Sequence, residues 1–206
     1  MNRRHFVKNS AVLGAGVLLP LPAAAQASLG TVHELAGRVL LNGRPMTPDS
    51  VVQPGQTITT GGDGRIWFTL AGDAFFLRPG SELRISPSVR DNVVEALRLV
   101  SGALGATFRR GAQRSVVAQT VTIGIRGTGI YVQTAPDATY VCTCFGTTEL
   151  GALSGADTAR VSATHHSGRV IQRGDTRIRA AEMSLMPHTD EEMSRLERLA
   201  GRPYPF

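Results

Sequence analysis

The chain has 206 residues, 42% of them hydrophobic and 18% charged, with two cysteines and a formal net charge of +6. That length supports one domain with a sizeable core. The basic residues form no dense block interleaved with aromatics, which excludes a nucleic-acid surface of the usual kind.

The first element is an export signal. Arg3 and Arg4, followed by Phe6, Val7 and Lys8, precede an apolar run from Ala11 to Leu21, and Ala25-Gln26-Ala27 fits a small-x-small cleavage site. About 11 apolar residues are too few for a membrane span, which needs roughly 20, so residues 1–27 are expected to be cleaved. The adjacent arginines with their Phe and Lys neighbours resemble a twin-arginine signal, the route for folded and often cofactor-loaded proteins; an ordinary secretory signal carrying two arginines is the alternative. The segment holds three of the 22 basic residues and no acids, so the chain from Ser28 has 179 residues and 19 basic against 16 acidic side chains, a balance of +3. No second apolar stretch is long enough to cross a bilayer. The expected destination is the periplasm, where a cysteine pair can oxidise.

From Ser28 onward glycine turns recur, among them Asn42-Gly43, Gly61-Gly62-Asp63-Gly64, Ala71-Gly72-Asp73, Pro79-Gly80, Ser101-Gly102, Phe145-Gly146, Ser167-Gly168 and Arg173-Gly174. Between them the apolar residues alternate. Ile66, Phe68 and Leu70 interleave with Trp67 and Thr69; Val121, Ile123 and Ile125 interleave with Thr122 and Gly124. Period-two patterning with a turn every ten or so residues predicts an all-β domain over residues 28–186. Arg126-Gly127-Thr128 falls between two such strands. Gly127 suits a bend or a close backbone approach, Thr128 a bond to the backbone, and Arg126 an ion pair across the turn, so the tripeptide is assigned to the fold.

Both cysteines lie in Thr139-Tyr140-Val141-Cys142-Thr143-Cys144-Phe145-Gly146. On a strand Cys142 and Cys144 share a face. Downstream come His165, His166 and His188. Thiolates with imidazoles suit zinc, copper(I) or an iron–sulfur cluster. His165 and His166 are adjacent, so both reach one ion only across a loop or bulge; otherwise one binds and His188 supplies the next ligand. The competing readings are two thiols packed as small apolar groups, a strained disulfide over one intervening residue, or a Cys-x-Cys redox pair.

The last element is a helix. Thr189 and Glu192 form a capping-box pair; Met193, Leu196, Leu199 and Ala200 share one face, and Gly201 with Pro203 stops the run. Residues 187–206 are thus expected as one short helix and a tail packed on the sheet edge. The chain carries no G-x-S-x-G elbow, no H-E-x-x-H and no phosphate-cradling glycine loop, and Asp63, Asp73 and Asp137 read as turn residues. Catalysis is not expected.

The order of these pieces resembles the FecR family of periplasmic domains. The resemblance rests on Gly37-Arg38-Val39, Val52 to Gly61, Arg65 to Leu70, Leu77 to Ile85, Leu97 to Leu104 and, most distinctively, Ile125-Arg126-Gly127-Thr128-Gly129-Ile130-Tyr131-Val132. It implies a β-solenoid-like or β-roll domain that acts by contact with another envelope protein. Full-length family members relay the occupancy of an outer-membrane receptor to a sigma factor. In place of their anti-sigma segment and transmembrane helix this chain has a cleavable signal, so the resemblance implies a soluble exported module acting as sensor, carrier or assembly partner. The two cysteines stand where the family pattern has ordinary strand residues.

Overall fold

The computed structural model describes residues 29–205 apart from 88, 91, 92, 112, 156 and 183–186. The export signal expected at residues 1–27 lies outside the described residues. Strands β1 (Gly30–Ala36), β2 (Val39–Leu41), β3 (Arg44–Pro45), β4 (Val51–Val52) and β5 (Thr57–Thr60) come first. They are followed by β6 (Arg65–Leu70), β7 (Asp73–Leu77) and β8 (Glu82–Ile85), then a small β9 (Val89–Arg90) and β10 (Val93–Val94) hairpin. The second half holds β11 (Ala96–Thr107), β12 (Arg114–Val117), β13 (Val121–Ile125), β14 (Gly129–Thr134) and β15 (Ala138–Ala152). It closes with β16 (Thr158–Ala163), β17 (Ser167–Gln172), β18 (Arg179–Ala180) and the helix α1 (Asp190–Leu199).

The all-β expectation holds. Strand β11 pairs with β12, β12 with β13, β13 with β15, β15 with β14, and β14 with β11 again, which closes a small barrel. Strands β6, β7 and β8 extend the sheet from β11, and β16 and β17 from β15. Among the described pairings β11 with β12 is parallel and the rest are antiparallel. The solenoid-like or roll winding that the family resemblance implies is not established by this register.

Closure depends on two long strands that bend. Strand β11 turns at Gly102 (φ +75°), pairing with β8 before the turn and with β7 and β14 after it. Strand β15 turns at Gly146 (φ +86°), pairing with β14 and β17 before and with β13 and β16 after. A side chain at Gly146 would meet Thr128 Oγ1 at 2.8 Å and the Gly127 carbonyl oxygen at 2.9 Å, so the Arg126-Gly127-Thr128 corner packs into the β15 bend. Buried Thr128 donates through Oγ1 to the Thr147 carbonyl (2.8 Å) and accepts from the Thr147 amide (3.0 Å). Gly127 has φ +65° and sits against Arg110, while exposed Arg126 faces Glu149 at 3.5 Å.

Strand alternation divides the apolar residues between two cores. Ile66, Phe68, Leu70, Phe75, Leu77, Ile123, Ile125 and Val141 fill the main core. Their neighbours Trp67, Ala74, Phe76, Tyr131, Cys142 and Cys144 point the other way and form a second core with Met193 and Leu196 of α1. The helix is therefore laid on the outer face of the sheet over β7 and β11, not on the sheet edge expected from the sequence. An amphipathic pattern says that one face is buried and leaves its partner open. Both arms of the capping box form, Glu192 N to Thr189 Oγ1 (3.3 Å) and Thr189 N to Glu192 Oε2 (3.1 Å). Gly201 (φ +69°) ends the helix, with Gly201 N bonded to the Arg198 carbonyl and Arg202 N to the Glu197 carbonyl, the paired closure of a Schellman turn. Among the described residues no helix is long and apolar enough to cross a membrane.

Asp73, read from sequence as a turn residue, is buried. Its carboxylate meets Arg114 Nε at 2.6 Å and Nη2 at 3.0 Å and accepts from the Arg109 amide at 2.9 Å. Burial pushes the Asp73 carboxyl above its ordinary value and the Arg114 guanidinium below, each opposed by the partner's charge. The pair ties β7 to β12 at one end of the barrel. Replacing Arg114 with Met strands a buried carboxylate and is expected to cost about 3–5 kcal/mol in urea unfolding, most of it recovered in the double variant Asp73→Asn, Arg114→Met. Equal loss in single and double variants refutes this account.

Candidate metal centre

Cys142 and Cys144 lie on the half of β15 that precedes the Gly146 bend. Thr143 between them points into the barrel, where its hydroxyl lies 2.7 Å from Thr148 Oγ1, so both thiols face the second core. His166 occupies the turn from β16 to β17. Its backbone is left-handed (φ +41°) and its amide donates to the Cys144 carbonyl at 2.9 Å. That conformation turns the His166 ring inward and leaves His165 outside, with 56% of its side chain exposed against 3% for His166. His188, one residue before the N-cap of α1, is 2% exposed and its ring stacks on Tyr131 with centroids 4.5 Å apart and planes 9° apart.

The donor atoms of Cys142, Cys144, His166 and His188 all lie within 4.8 Å of one another. Cys142 Sγ is 3.5 Å from His166 Nδ1, Cys144 Sγ is 3.3 Å from His188 Nε2, and the two ring nitrogens are 3.2 Å apart. The fifth residue expected from sequence, His165, does not join them: its Nε2 lies 3.1 Å from Asp190 Oδ1. The same carboxylate oxygen lies 2.7 Å from His166 Nε2 and accepts from Tyr204 Oη at 3.2 Å. Behind the four donors there is thus a carboxylate that orients one imidazole, as carboxylates do behind metal-bound histidines. Sequence reasoning missed it. Asp190 stands in the acidic first turn of a well-capped helix, where the helix dipole is reason enough for a carboxylate.

The electrostatics of this group are those of a polar cluster in an apolar shell. The neighbouring Cys144 thiol, acting against burial and aided by His166 and His188, holds the Cys142 thiol down to about 3. Burial, together with the charge on Cys142, pushes the Cys144 thiol well above its ordinary value. The pair therefore ionises once readily and a second time only with difficulty. Burial alone lowers the His166 imidazole, but Cys142 and Asp190 outweigh it and raise it. The hydrogen bond from His166 holds the Asp190 carboxyl below its ordinary range against a smaller cost of burial, with help from His165. His188 Nδ1 is buried with no hydrogen-bond partner among the described residues. Both cysteines are free thiols, so the disulfide reading is not realised in this structure.

Size decides what the donors can hold. A tetrahedral ion about 2.3 Å from sulfur and about 2.05 Å from nitrogen sets S···N edges of about 3.6 Å and an N···N edge of about 3.3 Å. The observed 3.5, 3.3 and 3.2 Å match those edges to within about 0.3 Å. An iron–sulfur cluster needs its ligands spread around several irons and bridging sulfides. Four donors packed this closely leave room for one ion and not for a cluster.

No family model and no curated protein matches this chain. Two crystal structures of a candidate anti-sigma factor from Parabacteroides distasonis resemble it, each with a TM-score of 0.52, at 13% and 14% identity. Each alignment covers 61% of this chain and 59% of the other, so the chain spans about three-fifths of that protein's length. At this identity the likeness is one of fold, over the aligned three-fifths of the chain.

Proposed function

We propose that this chain is a FecR-like sensor module of the periplasm, acting by contact rather than catalysis, that holds one metal ion on Cys142, Cys144, His166 and His188. The observation that carries the proposal is the convergence of four buried soft donors within 4.8 Å. The sensor class is supported by the fold shared with candidate anti-sigma factors and by the FecR-like order of motifs around Arg126, Gly127 and Thr128. Export to the periplasm is supported by the composition of residues 1–27, and a twin-arginine route suits a protein that folds around its ion before leaving the cytoplasm. The partner is another envelope protein.

A four-coordinate site filled entirely by protein ligands keeps no open position for substrate or an activated water, which is the pattern of structural zinc and not of catalytic zinc. Charge also favours zinc over copper(I). Two thiolates and two neutral imidazoles around a divalent ion sum to zero, whereas a monovalent ion leaves a negative charge in an apolar pocket, and buried net charge is costly. The competing reading is an interaction module whose cysteines merely fill the second core beside Trp67, Phe76 and Tyr131. It gives no reason for four donor atoms to converge within 4.8 Å of one another.

Elemental analysis of protein expressed with its own signal is expected to find about one zinc per chain, lost in Cys142→Ser and His166→Ala and retained in His165→Ala. In competition with a chromogenic chelator, Asp190→Asn is expected to weaken zinc about 10–100-fold through its hold on His166. Denaturant with chelator and no reductant should release two titratable thiols per chain. Wild-type protein that neither carries nor takes up zinc or copper(I) overturns the metal reading, and a thiol count of zero replaces it with a disulfide.

A further inference from the structure

Three of the four donors belong to the sheet: Cys142 and Cys144 on β15, and His166 in the turn from β16 to β17. The fourth, His188, belongs to the arm formed by residues 187–205. The arm also brings Asp190 to the back of His166 and Tyr204 to Asp190. Closing a coordination shell here closes the arm on the barrel.

We propose that the ion is the latch of this arm: bound, it holds the start of α1 over the second core, and its loss lifts that segment and uncovers the aromatic face beneath. The inference rests on the metal reading above. Its ground is the weakness of the other ties at this end. A ten-residue helix is too short to persist alone in water. The Arg78–Glu192 and Arg195–Glu34 ion pairs, at 2.7 and 2.6 Å, are partly exposed, and such pairs are individually weak and screened by salt. Met193 and Leu196 are the arm's fully buried apolar anchors among the described residues.

The far end is fastened differently. Arg202 bonds Glu197, the Gly72 carbonyl (2.7 Å) and Thr107 Oγ1 (3.0 Å), none of which involves the donors. The arm therefore opens from His188 and stays tethered near Arg202. Opening exposes Trp67, Phe76 and Tyr131. Metal occupancy becomes a change of surface that another protein can read by touch.

Amide hydrogen exchange on the full chain tests this, comparing zinc-loaded, chelated and zinc-restored protein. Residues 188–196 are expected to exchange at least about tenfold faster after chelation and to slow again with zinc, while β6, β7 and β11 keep their protection. His188→Ala, which retains the three other donors, is expected to leave those residues fast with or without zinc. Zinc binding at one per chain with unchanged exchange in the arm overturns the latch and leaves the metal reading standing. Global loss of protection on chelation also overturns it, because the ion is then a requirement of the whole fold. A chain that binds no zinc or copper(I) overturns both.

Discussion

A small β-barrel can bury only one face of its strands within itself. Here the outward face carries Trp67, Phe76, Ala103, Tyr131, Cys142 and Cys144, which is too much apolar surface to leave in water. Something must cover it, and the chain returns at residues 187–205 to do so. The position of the candidate site follows from this. It lies at the seam between the sheet and its cover, where donors from β15 and the β16–β17 turn meet one from the segment that leads into α1.

The magnitudes show which interactions govern the seam. Each buried anchor of the helix, Met193 or Leu196, contributes about 1.5–3 kcal/mol, and each partly exposed ion pair contributes about 0–1 kcal/mol. Against these stands the ordering of the segment, at about 1–2 kcal/mol of backbone entropy per residue. A closed zinc site of this donor type is associated with apparent binding energies of about 10–16 kcal/mol. Under the proposed metal reading, the ion would outweigh any other single contact of the arm. The buried Asp73–Arg114 pair, which joins β7 to β12 by an ion pair and a hydrogen bond from Arg114 Nη2 to Asp73 Oδ1, is separate from the donor set.

Much of this was legible in the residues themselves. Alternation in Arg65–Leu70 and Val121–Ile125 marked strands that exist, and Thr189, Glu192 and Gly201 marked both ends of the helix. What alternation does not carry is closure. That depends on bends at Gly102 and Gly146 and on partners distant in the chain, and a glycine among many glycine turns does not announce which one bends a paired strand. The donor set was legible by residue type but not by geometry. His165 and His166 are equivalent on paper; the left-handed backbone at His166 decides which ring turns inward. Asp190 and Asp73 were hidden for a related reason. Each satisfies a local rule, helix start or glycine turn, while its main partner lies 24 or 41 residues away.

The sequence separation within the donor set has a consequence for the life of the chain. Cys144 and His188 are 44 residues apart, with two strand hairpins between them. During synthesis both thiols and His166 emerge well before the ligand that closes their shell. Under the proposed metal reading, an ion bound during that interval would have three protein ligands and one open position. The order of the ligands along the polypeptide would thus make the last of them, His188, the one that completes the proposed centre.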